Sequence, residues 1–205
     1  MPDPAIATAA DYADALFTSR RAKNVLVLIV LLLLVTQLGL FFAIHFNAIK
    51  LPSAESHTID LLKYFIGATG FMGVTLSIVL SFVLLLIVNV MLVGRLIGVA
   101  RLTSAYLWSL ILIVMLFPWQ AFLNDQTLSK PDFKIPGVLY TWDELSAPFP
   151  DGPPQSILKW ARFVVFPFVG VIIALIIQAK SNRGIRQAFG ETDDIEPAAG
   201  AATRA

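Results

Sequence analysis

Few side chains in this chain could carry out chemistry, and they are widely separated. The chain has no cysteine and two histidines, His45 and His57. A haem held between two helices takes an axial ligand from each helix, and these two residues are poorly placed to supply both. His45, with Trp119 and Gln120 predicted near the same membrane surface, could instead contact a quinone or a pigment. No cofactor and no metal site is predicted; a lipid, a quinone or a pigment is the ligand class left open.

Nucleophilic catalysis has little support. It requires a serine or an aspartate with a positioned base or metal partner, and the apolar segments contain serines without either. The G-x-S-x-G, H-E-x-x-H and Walker patterns are also missing from the sequence. We therefore do not expect an enzyme.

A repeat of small residues is the clearest local pattern. Thr69, Gly73, Ser77 and Ser81 recur every four residues, with Gly70 beside them and Asn89 further along. Such a ladder lets helix backbones approach closely and lets hydroxyls bond across the contact. Asn89 and Gln37 carry amides that need protein partners in a membrane. The ladder predicts packing inside a bundle, and an interface to another subunit or a substrate path lined by hydroxyls are the alternatives.

Four apolar segments must position these residues. The chain is 57% hydrophobic and 14% charged, against about 25% charged residues in soluble domains. Spans are predicted at 24–46, 61–93, 104–123 and 161–179, each long enough to cross a ~30 Å hydrocarbon core as a helix. The predicted fold is an all-α integral membrane protein, a four-transmembrane-helix bundle with a long outer loop between helices 3 and 4.

Basic residues predict the orientation of this bundle. They cluster before the first span, between the second and third, and after the fourth, which four spans would bring to one side. The cluster members are Arg20, Arg21, Lys23, Arg95, Arg101, Lys180, Arg183 and Arg186. By the positive-inside rule both termini are cytoplasmic. Their positions beside membrane ends favour lipid contact over nucleic-acid binding.

The remaining segments are tails and one long loop. Residues 1–23 are predicted to be a cytoplasmic tail with the spacing of an interfacial helix, 24–186 the membrane domain, and 187–205 a disordered cytoplasmic tail. The outer loop at 124–160 is rich in proline and aromatic residues, which favours an ordered cap on the bundle.

These features predict a non-catalytic accessory or scaffold subunit of a larger membrane complex. Its expected partners are membrane lipids and either other membrane subunits or copies of itself. A small oligomeric channel or transporter using the Ser/Thr face of helix 2 is the alternative, and a quinone- or pigment-contacting subunit of an electron-transfer complex is a further one. The expected location is a bacterial cytoplasmic (inner) membrane.

Overall fold

A computed structural model describes residues 9–46, 57–117, 145, 157 and 159–190. The described part consists of helices and the turns that join or end them, without a strand. It contains α1 (Ala9–His45), α2 (His57–Val93), α3 (Val99–Leu116), a π-helical turn (Ala161–Val165) and α4 (Phe166–Ala188). Four helical stretches are long and apolar enough to cross a membrane, which confirms the prediction of a multi-pass, all-helical membrane protein.

The first helix is longer than the predicted span. α1 has 37 residues and is therefore about 55 Å long, well beyond the ~30 Å hydrocarbon core. The predicted boundary between tail and span at Asn24 does not correspond to a break, since residues 9–23 continue the same helix. Leu16 in this extension is buried in the bundle core.

The third helix ends earlier than predicted. α3 stops at Leu116, and Phe117 adopts an extended conformation with φ −64° and ψ 132°. The ring of the following Pro118 disfavours the helical conformation for the residue before it. Proline therefore accounts for the end of the helix here, where the sequence predicted a span continuing to residue 123; residues 118–123 lie outside the described part.

The fourth helix accommodates its proline differently. Pro167 is buried near the start of α4, directly after the π-helical turn, in which the Phe166 amide donates to the carbonyl oxygen of Ala161. Proline lacks an amide hydrogen, and its ring crowds the carbonyl one turn earlier, at Phe163. A wider turn relieves this crowding and lets the helix continue through the proline.

The four helices form a ring in chain order. Each packs against the next, and α4 closes the ring against α1. The centre is filled by aliphatic side chains with little or no exposure, among them Leu34 of α1, Leu84 of α2, Leu112 of α3 and Ile177 of α4.

Two glycines set the closest approach between elements. Gly98, in the turn between α2 and α3, has φ +98°, and a Cβ built there would overlap the carbonyl oxygen of Gly184 in α4. A Cβ on Gly184 would in turn lie 3.1 Å from the carbonyl oxygen of Gly98. The turn between α2 and α3 therefore packs directly on the backbone of α4.

At the other end of the bundle, α3 stops short of the fourth helical stretch. At ~1.5 Å per residue, Leu116 lies about 18 Å from Ser104 along the axis of α3. Ala161 lies about 28 Å from Lys180 along the fourth helical stretch. The Lys180–Ser104 hydrogen bond sets these two positions level, so α3 stops well short of the start of the fourth helical stretch. Beyond its end, Leu145 from the predicted outer loop is buried in a second cluster with Phe41, Ile66 and Phe163.

Replacing Gly98 by alanine should destabilise the fold by about 2 kcal/mol or more. The substitution forces an L-residue into a left-handed conformation and places a methyl group against the Gly184 carbonyl. Thermal unfolding of the purified variant in detergent, followed by circular dichroism, would measure the loss.

Gly67→Ala is the matched control, because a Cβ at this helical glycine meets no atom within 4 Å. This control should be neutral or slightly stabilising, since alanine is the better helix former. Equal unfolding temperatures for Gly98→Ala and Gly67→Ala would contradict the proposed close contact.

Candidate functional site

A lysine at the contact between α1 and α4 is the most unusual feature of the bundle. Lys23 has an exposed fraction of 0%. Its Nζ donates to the Ser181 hydroxyl at 2.9 Å and to Oδ1 of Asn182 at 2.6 Å. The Ser181 hydroxyl donates onward to the carbonyl oxygen of Gln178 at 3.2 Å. A charged side chain is thus held between two helices by neutral acceptors.

Neighbouring polar side chains extend this contact. Gln178 Nε2 donates to Oδ1 of Asn24 at 3.1 Å, again joining α4 to α1. Lys180 Nζ donates to the Ser104 hydroxyl at 2.8 Å, which joins α4 to α3. We call this set the polar layer; it comprises Lys23, Asn24, Ser104, Gln178, Lys180, Ser181 and Asn182.

The contacts of the polar layer are suited to anchoring the helices to one another. Within the described part of the chain, Lys23 bonds to a hydroxyl and an amide and to no carboxylate. A buried ammonium requires such partners to offset the hydration it loses. Removing these partners would therefore cost more free energy than the hydrogen bonds themselves contribute. This penalty makes the register between α1 and α4 specific.

The other predicted topology anchors lie at the same end as the polar layer. Arg95 is in the α2–α3 turn and adopts φ +50°, a left-handed conformation of the kind that glycine usually supplies at helix ends. The Leu96 amide donates to the carbonyl oxygen of Met91 at 2.9 Å, and the Arg95 amide to that of Leu92 at 3.2 Å, the pattern of a Schellman motif. The exposed members are Arg21, Arg95, Arg183 and Arg186, and the partly buried ones are Arg20, Arg101 and Lys180.

The small-residue ladder of α2 faces mainly into the bundle. Thr69, Gly73, Ser77 and Ser81 are all buried. The Thr69 hydroxyl donates to the Ile66 carbonyl at 2.9 Å and the Ser77 hydroxyl to the Val74 carbonyl at 2.7 Å, so both are satisfied within their own helix. The Ser109 hydroxyl of α3 lies 3.0 Å from the Ser81 hydroxyl and 2.6 Å from the Tyr106 carbonyl oxygen. These contacts are those of helix packing.

Two residues grouped with the ladder lie elsewhere. Gly70 is partly exposed, and a Cβ there would meet nothing within 4 Å. Asn89 is exposed on the surface of the single chain, so the expectation that its amide faces protein is not met within this chain. Gln37, by contrast, is buried in α1, as an amide at membrane depth should be.

His45 belongs to an aromatic cluster at the end opposite the polar layer. Its ring stacks on Phe41 with 5.7 Å between centroids and meets Trp160 edge-on at 5.0 Å. Phe41 also stacks on Phe163 at 5.1 Å. Lys159 Nζ lies 5.9 Å from the Phe163 ring, and partial burial lowers the pKa of its ammonium. Trp119 and Gln120, the other predicted ligand contacts, lie outside the described residues.

A groove of about 240 Å³ runs between α2 and α3 on the outer surface of the bundle. Ile78, Phe82 and Leu85 line it on α2, and Tyr106, Leu110 and Ile113 line it on α3. The buried Ser81 also contributes to its lining. Among the described residues no group of three or more histidine, cysteine, aspartate or glutamate side chains could hold a metal.

Sequence reasoning missed the burial of Lys23 and the groove. Lys23 resembles its exposed neighbour Arg21 in sequence, and both precede an apolar run. One signal was available: Gln178, Lys180, Ser181 and Asn182 follow the apolar part of α4 within the same helix and offer polar partners to a neighbouring helix. The groove depends on how two helices meet and leaves no comparable pattern.

Comparisons of the chain with protein-family models, with curated proteins and with solved structures found no match.

Replacing Lys23 by methionine should lower the free energy of unfolding by about 2 kcal/mol. Methionine keeps much of the side-chain volume but leaves the buried acceptor on Ser181 and the partly buried acceptor on Asn182 without their donor. Lys63→Met is the matched control, since Lys63 is exposed on α2, and it should change stability by less than about 0.5 kcal/mol. Chemical unfolding of both variants in mixed micelles gives the comparison, and a loss as large in the control would refute the role of Lys23.

Proposed function

We propose that this protein is a non-catalytic accessory or scaffold subunit of a larger membrane complex. The observation that carries the proposal is a bundle interior filled by aliphatic side chains and joined by hydrogen bonds between helices. Four hydrogen bonds, three donated by lysine and one by a glutamine amide, link α1 to α4 and α4 to α3. Side chains used in this way hold a shape, and a fixed shape is what a scaffold contributes.

The satisfied hydroxyls of α2 favour this proposal over a transport path within one chain. A hydrophilic path needs hydroxyls that can exchange their bonds with a passing substrate. Thr69 and Ser77 donate to carbonyls of their own helix, and Ser77 has an exposed fraction of 0%. Aliphatic residues such as Leu80 and Leu84 surround the hydroxyls in the core.

The proposed setting is a bacterial cytoplasmic membrane with both termini on the cytoplasmic side. The polar layer and the arginine-bearing turn between α2 and α3 lie at the same end of the bundle. The positive-inside rule assigns such an end to the cytoplasm. Cysteine labelling at Phe17 and Tyr64, one toward each end of the bundle, would test this orientation.

Purification at native expression in a mild detergent tests the proposed function. Size-exclusion chromatography followed by mass spectrometry should recover stoichiometric membrane-protein partners. A lone monomer or a homo-oligomer would refute the accessory-subunit proposal.

The combined substitution Ser77→Ala and Ser81→Ala separates a scaffold from a channel. Both residues are buried, so alanine removes the hydroxyls with little change in packing. A scaffold should keep its partners and show no ion or solute flux in liposomes before or after the change. Flux in the unmodified protein that falls in the double variant would instead support the channel alternative.

A further inference from the structure

We propose that the groove between α2 and α3 binds one acyl chain of an anionic phospholipid, with the headgroup at the basic end of the bundle. This site is independent of the proposed scaffold function. Three features carry the inference: the size and lining of the groove, the polar residues where it ends, and the charge of that end.

The size of the groove suits one narrow chain. At about 240 Å³ it is smaller than the ~300–1,000 Å³ pockets that enclose compact ligands. Its lining is aliphatic and aromatic apart from the hydroxyls of Ser81 and Tyr106. An acyl chain buries apolar surface there without leaving a polar atom unsatisfied.

The side chains at the rim disfavour a partner helix. Helices pack closely in membranes where small residues let their backbones approach. This groove is flanked instead by Phe82, Tyr106 and Leu110, and the Phe82 side chain is 66% exposed. Large flanking side chains keep a second backbone away but leave room for a flexible hydrocarbon chain.

Polar side chains stand where the groove approaches the basic end. Asn89 lies four residues after Leu85 and seven after Phe82, so it continues the same face of α2 and is exposed there. On α3, Tyr106 is the lining residue nearest the basic end. The apolar groove thus ends beside an amide and a phenol, which can bond the ester and phosphate oxygens of a lipid.

Charge at that end selects an anionic headgroup. The Ser81–Ser109 contact aligns α2 with α3. Eight residues further toward the basic end, α2 reaches Asn89 and α3 reaches Arg101, so these two residues lie level with each other. Arg95 lies in the exposed turn below. Basic residues beside a membrane surface attract anionic lipid, by about 1 kcal/mol for each side chain.

Native mass spectrometry of the full-length, delipidated protein tests the site. It should be titrated with phosphatidylglycerol and, separately, with phosphatidylcholine carrying the same acyl chains. One phosphatidylglycerol should be retained first and at several-fold higher occupancy. Equal retention of the two lipids would overturn the proposed anionic selectivity.

Leu110→Trp fills the groove, whereas Ile111→Trp puts the same side chain on the exposed surface next to it. The first substitution should weaken lipid retention by about fivefold or more, because it displaces one or two methylene groups of the acyl chain from the groove. The second should leave lipid retention unchanged. Asn89→Leu, at an exposed position that does not affect the core, should also weaken phosphatidylglycerol retention.

Unchanged lipid retention in both Leu110→Trp and Asn89→Leu would overturn the proposal. So would a dimer or a partner complex that Leu110→Trp dissociates without loss of lipid, since the groove would then be a protein interface.

Discussion

A bilayer interior offers no water to hydrogen-bond, and this constraint determines the rest of the structure. Every backbone amide at that depth must bond within its own helix, so four long apolar segments become four helices. Side chains follow the same rule. The hydroxyls of Thr69 and Ser77 donate to carbonyls one turn earlier, and Ser81 and Ser109 meet across a helix contact. Polar groups in the core are therefore few, and those with described partners bond within their own helix or join two helices.

The bundle divides into two unlike ends. At one end, the turn between α2 and α3 lies on the backbone of α4 through Gly98 and Gly184, and a layer of polar side chains joins the helices beside it. At the other end α3 has already stopped, and among the described residues Phe41 and Phe163 pack with Ile66 and Leu145. One end is thus fixed by directional hydrogen bonds and backbone contact, and the other by the shape of large apolar groups.

The existence of the four helices could be predicted from the sequence because continuous apolar runs report directly on lipid contact. Their limits could not. α1 continues to Ala9 with Leu16 packed in the core, and α3 ends at Leu116 where a proline follows. The ladder of α2 was recognised, but its spacing could not tell an internal contact from an external one. Asn89, which follows the ladder along α2, is exposed. The role of Lys23 depends on which residues of α4 lie beside it, and nothing in the local sequence reports on that.

The bonds of Lys23 impose an order on biosynthesis. Its acceptor Ser181 lies 158 residues further along the chain, and at ~5–20 residues per second a ribosome needs roughly 8–30 s to reach it. Until then the ammonium must stay hydrated, which keeps the start of α1 at the membrane surface. α1 can therefore settle at its final depth only after α4 has been made.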